Sequence, residues 1–212
     1  MFNLLAFLFI ITGLLMLAGR MISNNIRLLG MQSLVLSIIA FYLAFSGGMD
    51  GHMLVVGLLT LLVKVIVLPR VLLNLVEKLK VNREISLSIG LVPSTFIGLI
   101  LIGLTYAYVV PVLLKEVQVG SHLLSAALST VLLGCFFMIS RRSAFSQLMG
   151  IVVMENGLFL CAIAVTGGMP LIIELGIFFD LLVGALVMGM MTHQIKGSFE
   201  TLDTKYLNKL KG

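Results

Sequence analysis

Lys64, Glu155, Glu174 and Asp180 are the residues whose chemistry stands out in this sequence, because each lies inside a long apolar run where an ionisable group has little solvent of its own. Such a group at a bilayer centre costs about 2.5 to 3.5 kcal/mol on insertion scales, so it normally faces protein or trapped water and has a task. Loss of hydration penalises the charged form of an acid and of an amine alike. Two acids and a lysine at similar depths are therefore suited to pass protons laterally through bound water. Depth can be counted. Glu155 lies twelve residues before Gly167 and Asp180 twelve after Gly168, which puts about 18 Å of helix between each acid and one shared turn. Both carboxylates are expected at one level near the midplane.

Each of the four residues has a plainer reading beside the functional one. Gly176, Asp180 and Gly184 recur every fourth residue, a stripe that allows close helix approach or leaves room for water. Asp180 then handles protons or only hydrogen-bonds a neighbouring helix, and the same two readings apply to Glu155, which is followed by Asn156 and Gly157. Lys64 lies twelve residues from His52 and six before Arg70, with Thr60 and Gly57 on its face. It is either an inward-facing intramembrane cation or a stem that snorkels to the surface. Glu174, six residues inside the outer turn, reads equally as a hydrated near-surface carboxylate and as an outer relay position.

The elements that must carry these residues are helices. Of the 212 residues 60% are hydrophobic and 11% charged, with a mean hydropathy of +1.19, more apolar surface than a soluble globule hides. A span of hydrocarbon takes roughly 20 apolar residues, and cutting at charges, glycines and prolines gives seven: 2–19, 28–45, 53–73, 85–110, 121–139, 144–166 and 170–193. The first run lacks a basic leader region, so it is expected to be a retained helix. Ser23, Asn24 and Asn25 are candidate caps for the second helix and Ser143 for the sixth. Pro93 falls a few turns into the fourth and predicts a kink there.

Basic residues accumulate on the cytoplasmic side of a membrane. Twelve of the 14 Lys and Arg fall on one side, at Arg20, Arg27, Arg70, Lys78, Lys80, Arg83, Arg141, Arg142 and the tail lysines 196, 205, 209 and 211, whereas the opposite connections hold only Lys115. The expected fold is all-α and polytopic, with seven transmembrane helices, the amino terminus outside and the carboxyl terminus cytoplasmic. A shift of 120 residues aligns Leu28-Leu29-Gly30-Met31 with Leu148-Met149-Gly150-Ile151, which suggests parallel copies in helices 1–3 and 5–7. The chain then divides into a first three-helix unit (1–84), a linking helix and outer loop (85–120), a second three-helix unit (121–195) and a cytoplasmic tail (196–212). That tail mixes Lys with Glu200 and Asp203 and reads as a solvated or interfacial helix.

Several function classes are set aside. The net charge of +5 is spread between apolar runs, not gathered on a solvated face beside aromatics, so no nucleic acid is expected as partner. Cys135 and Cys161 form no CxxC pair, and His52, His122 and His193 fall at helix ends, which leaves no evident ligand set for zinc, nickel or an iron–sulfur cluster. No P-loop, GxGxxG, nucleophile elbow or HExxH is present, so no cofactor is expected in this chain.

The stretch Arg141-Arg142-Ser143 through Leu148-Met149-Gly150 to Glu155-Asn156, with Asp180 and the following Gly184-Ala185-Leu186, resembles the K subunit of respiratory complex I and the related C subunit of multisubunit Na+/H+ antiporters. Seven helices and the run from Lys64 to Pro69 look more like hydrogenase-4 component E, the enlarged K-like subunit of formate hydrogenlyase-type complexes. The resemblance implies a non-catalytic subunit of a membrane-bound oxidoreductase in a bacterial or archaeal cytoplasmic membrane. Nickel–iron and iron–sulfur centres would lie in partner subunits: antiporter-like and complex I-like subunits in the lipid bilayer, and peripheral redox subunits on the cytoplasmic side. Asp180 matches the acid of that family's last helix. Glu155 departs from its pattern, standing five residues after Gly150 instead of two, a displacement of about 4.5 Å that keeps the helix face.

Overall fold

The computed structural model describes residues 2–46, 51–79, 87–113 and 121–166, with Gly184 and Gly189. Among the described residues the chain folds into six helical rods. Helix α1 is Phe2–Ala18 and α2 is Ile22–Ser46. Helix α3 covers 51–79: it starts as Gly51–Thr60, widens into a π-helix at Leu61–Val67 and resumes as Leu68–Leu79. Helix α4 covers 91–113, with a second π segment at Thr105–Val109. Helices α5 and α6 are Ser121–Ser140 and Ala144–Thr166. Five of them, α2 to α6, are long and apolar enough to cross a membrane, and the 17-residue α1 is a shorter apolar helix. The expected seventh span, 170–193, and the tail lie outside the described residues.

Proline explains where the helices widen. Pro69 has no N–H to give the Val65 carbonyl, and its ring would press on that oxygen in a regular α-turn. The chain responds with an i→i−5 bond, Leu68 N–H to Val63 O, and the π run ends two residues before the proline. Pro111 stands in the same relation to the π segment that ends at Val109. Pro93 does not kink its helix as expected. Helix α4 starts at Leu91, not near 85, with extended Gly90 as its cap, so Pro93 occupies the first turn, where an N–H has no intrahelical partner. The caps divide similarly. Ser143 Oγ accepts from Ser146 N at 3.2 Å and caps α6. Helix α2 begins earlier than expected, at Ile22, which places Ser23, Asn24 and Asn25 inside its first turns. There Asn25 donates to the Gly19 carbonyl at 3.4 Å.

Most of the helices are apolar on all sides, as lipid-facing helices are. The end of α3 is amphipathic: Leu72, Leu75 and Val76 are buried while Arg70, Glu77 and Lys78 are exposed. The buried core separates into two apolar tiers. One contains Phe9, Ile39, Val56, Leu124 and Leu160, the other Leu17, Leu29, Leu72, Phe137 and Val152. Along five of the six helices, buried polar residues fall between the tiers: Thr12, Gln32 and Ser33, Thr60 and Lys64, Ser129 and Thr130, Glu155 and Asn156.

Among the described residues helices α5 and α6 make the most extensive interface, and glycine makes it possible. A Cβ at Gly134 would stand 2.7 Å from Met154 N and 2.9 Å from Gly150 O, and one at Gly157 would stand 2.8 Å from Val131 N. Backbone meets backbone here, the close packing that small residues allow in membranes. Gly30 and Gly150, aligned by the 120-residue shift, meet different neighbours: Gly30 lies against Pro69 of the following helix, Gly150 against Gly134 and Met138 of the preceding one. Gly134→Ala and Gly157→Ala are expected to destabilise the protein by about 1–3 kcal/mol, the usual cost of overpacking. Gly103→Ala, whose Cβ would meet nothing within 4 Å, should leave the thermal unfolding midpoint in detergent unchanged or slightly raised.

Candidate functional site

The hydrogen-bonded network of the polar layer is built from four helices, α1, α2, α3 and α6. Lys64 is the fourth of seven residues in the π segment of α3, and Glu155 is the twelfth of 23 in α6. Their side chains are 3% and 4% exposed, and Lys64 Nζ lies 2.6 Å from Glu155 Oε1. Helix α2 packs against both α3 and α6, and the lysine links them. A buried charge is tolerated where it is paired and hydrogen-bonded, and this site supplies both. Lys64 also donates to Asn156 Oδ1 at 3.4 Å. The Phe159 ring, one turn beyond Glu155, lies 5.8 Å from Nζ, within range of a cation–π contact.

Asn156 extends the layer across α2. Its Nδ2 donates to Gln32 Oε1 at 3.3 Å and to Ser33 Oγ at 3.1 Å. Gln32 Nε2 reaches the Phe9 carbonyl of α1 at 3.4 Å, and Thr12 Oγ1 donates to the same oxygen at 2.8 Å. On the other side, Ser37 Oγ donates to Gly57 O at 2.9 Å and fixes α2 to α3 about two turns from Lys64. The π segment matters to this geometry. Each π turn inserts a residue relative to the α register and rotates the residues beyond it, and such segments recur at functional sites. Here the segment holds Lys64 at its centre.

Of the two readings of Lys64, the structure gives the inward one: the stem is buried with Thr60 and Gly57 on its face, and it does not snorkel. Lys64 and Glu155 are brought together. Asp180 and Glu174 lie outside the described residues, so their placement relative to the pair is not part of this geometry. Gln32, Ser33 and Phe159 were not singled out by sequence, although Gln32 is the one amide within the apolar run 28–45. Among the described residues no group of three or more His, Cys, Asp or Glu could hold a metal ion.

Arg141 departs from its role as a solvated connection charge. It is 2% exposed, donates from Nη2 to Leu17 O at 2.8 Å and Met16 O at 3.3 Å, and stacks over Phe137 at 4.9 Å. Its charge meets the carbonyl end of α1, where a cation is favoured. Ser88 N donates to Ser140 O at 3.0 Å and Arg142 Nε to Ser88 Oγ at 3.0 Å, so the α5–α6 connection also secures the start of α4.

Fold and site together define a multi-pass, all-helical membrane protein with a buried lysine–glutamate pair in its polar middle layer. Over 187 residues the chain is 30% identical to the uncharacterized protein Rv0085 of Mycobacterium tuberculosis, an alignment covering 88% of this chain and 84% of that one. The chain belongs to the family of that mycobacterial protein. No protein-family model and no solved structure matches it.

Truncating one partner of the pair strands the other, whereas removing both restores charge balance. Lys64→Met and Glu155→Leu are each expected to destabilise by about 3–5 kcal/mol, and the double variant by less than either single one. Thermal unfolding of all four proteins in one detergent checks this as a double-mutant cycle.

Proposed function

We propose that this protein is a non-catalytic subunit in the membrane arm of an energy-converting oxidoreductase complex of the hydrogenase or formate hydrogenlyase type, and that Glu155 and Lys64, with Asp180, form part of a proton or ion pathway coupled to a partner's electron transfer. The observation that carries the reading is the Lys64–Glu155 pair, buried mid-helix with a contact of 2.6 Å and with Lys64 in a π segment. A charge pair at this depth is costly to maintain, and intramembrane ionisable groups of this kind mark ion paths and proton relays. The resemblance to K-like subunits supplies the setting: seven spans, amino terminus outside, carboxyl terminus in the cytoplasm of a bacterium or archaeon, and Glu174 as an outer relay position. Antiporter-like subunits would lie beside it and peripheral redox subunits with nickel–iron and iron–sulfur centres below it. An antiporter assembly without redox partners is the alternative setting for the same pair.

A second reading is favoured by the pairing itself. Lys64 and Glu155 satisfy one another, which is also what a scaffold needs to lock α3 to α6 without moving ions. The two readings separate in the intact complex purified from its native membrane. Glu155→Gln should lower ion transport per electron transferred several-fold while every subunit still co-purifies. Loss of assembly in Glu155→Gln would support the scaffold, and unchanged coupling in a fully assembled complex would overturn the ion pathway. The co-purifying polypeptides distinguish the settings, a large subunit with nickel-binding cysteines indicating a hydrogenase.

A further inference from the structure

Lys64 has two acceptors that differ in charge. Glu155 Oε1 is 2.6 Å from Nζ and Asn156 Oδ1 is 3.4 Å away, so the ammonium can pass its main contact from one to the other within the polar layer. Behind Asn156 the hydrogen bonds run in one sense. Asn156 Nδ2 donates to Gln32 Oε1 and Ser33 Oγ, and Gln32 Nε2 donates to the Phe9 carbonyl. Both ends of this series are chemically fixed, because an ammonium only donates and a main-chain carbonyl only accepts. The two amides between them must therefore point their oxygens towards Lys64 and their nitrogens towards α1. Their dipoles are aligned, with the negative ends facing the cation. The series carries no proton itself, since amides neither bind nor release one near neutral pH. It supplies acceptors to an ammonium without requiring a carboxylate.

We propose that Asn156, backed by Gln32 and Ser33, is a second, uncharged holding site for the Lys64 ammonium, occupied when Glu155 takes up a proton. The inference rests on the ion-pathway reading. In the step it describes, a hydronium ion of the pathway breaks one O–H bond as another forms on Glu155 and leaves as water, the ammonium keeps its own three protons and shifts its contact to Asn156 Oδ1, and the pair changes from net zero to net +1. Without a neutral acceptor that step would strand a buried cation. The groups around the pair suit this assignment. Among the described residues, α1 and α2 present uncharged Thr12, Gln32 and Ser33, α3 presents Lys64, and the half-buried thiols Cys135 and Cys161 lie on α5 and α6. Arg141 is engaged at the end of α1, and the other charged groups whose side chains are described sit at helix ends or, as with Arg70, on the outer face of α3.

Infrared titration of the full-length protein in phosphatidylcholine–phosphatidylglycerol bilayers tests the assignment, using the protonated-carboxyl band that Glu155→Gln removes. In Asn156→Leu the pH at which this band half-develops should fall by about one unit or more, the effect of losing a hydrogen bond to a charged group. Gln32→Met, which leaves Asn156 in place without its support, should give a smaller fall in the same direction and serves if Asn156→Leu does not fold. On a Lys64→Met background neither change should move the midpoint, a dependence that a merely structural asparagine would not show. An unchanged midpoint in folded Asn156→Leu or Gln32→Met overturns the holding site and leaves Glu155 as a proton carrier. Absence of any Glu155 carboxyl band across the physiological range overturns both.

Discussion

The cost of keeping an ammonium and a carboxylate out of water governs the middle of this molecule. Desolvating each ion costs several kcal/mol, and attraction offsets that only where geometry is good and the remaining donors and acceptors are satisfied. The protein answers this cost by gathering its polar residues into one layer, where Glu155 Oε1 and Asn156 Oδ1 both accept from Lys64. Above and below, the core of the described residues is apolar. Within the layer, α3 supplies the cation, α6 the anion and one amide, α2 the second amide and a hydroxyl, and α1 a main-chain oxygen. Four helices are thereby committed to one register, because sliding any of them by a turn would leave a polar group facing an apolar tier.

Much of this was legible in the sequence. Apolar run length placed α1, α5 and α6 within about a residue at each described end, since a hydrocarbon slab sets the length of whatever crosses it. Lys64 and Glu155 stood out because charge is rare in such runs. Their pairing could not be read, because depth comes from counting residues while the direction of a side chain depends on helix rotation. That rotation is set here by the glycine contacts between α5 and α6 and by the widened turns of α3. Arg141 shows the same limit in the opposite direction. Its number and neighbours mark it as a charge in a short connection, and only the position of α1, over a hundred residues earlier, reveals that its guanidinium closes the end of that helix.

Proline shows how one residue type can act in three places with two results. Pro93 changes nothing, because the first turn of a helix needs no N–H from it. Pro69 and Pro111 lie inside continuous helices and each is preceded by a π segment. The kink expected at Pro93 presumes a helix that starts near 85. A proline's effect depends on its distance from the first turn, and apolar run length misplaces a helix start where residues such as Ser86, Ser88 and Gly90 lead into the run.

The pair also joins two parts of the bundle that are packed very differently. Glu155 and Asn156 belong to α6, which approaches α5 so closely at Gly134 and Gly157 that an added Cβ would stand 2.7 to 2.9 Å from backbone atoms of the facing helix. Any rotation of α6 would have to break that interface. Lys64 belongs to α3, much of whose surface, including Val55, Leu58, Leu62 and Val67, is exposed, and whose π segment already departs from the α register. The acceptors therefore sit on a closely packed helix and the donor on one with a more open surface. An ammonium on a long stem can move between two neighbouring oxygens without disturbing either apolar tier.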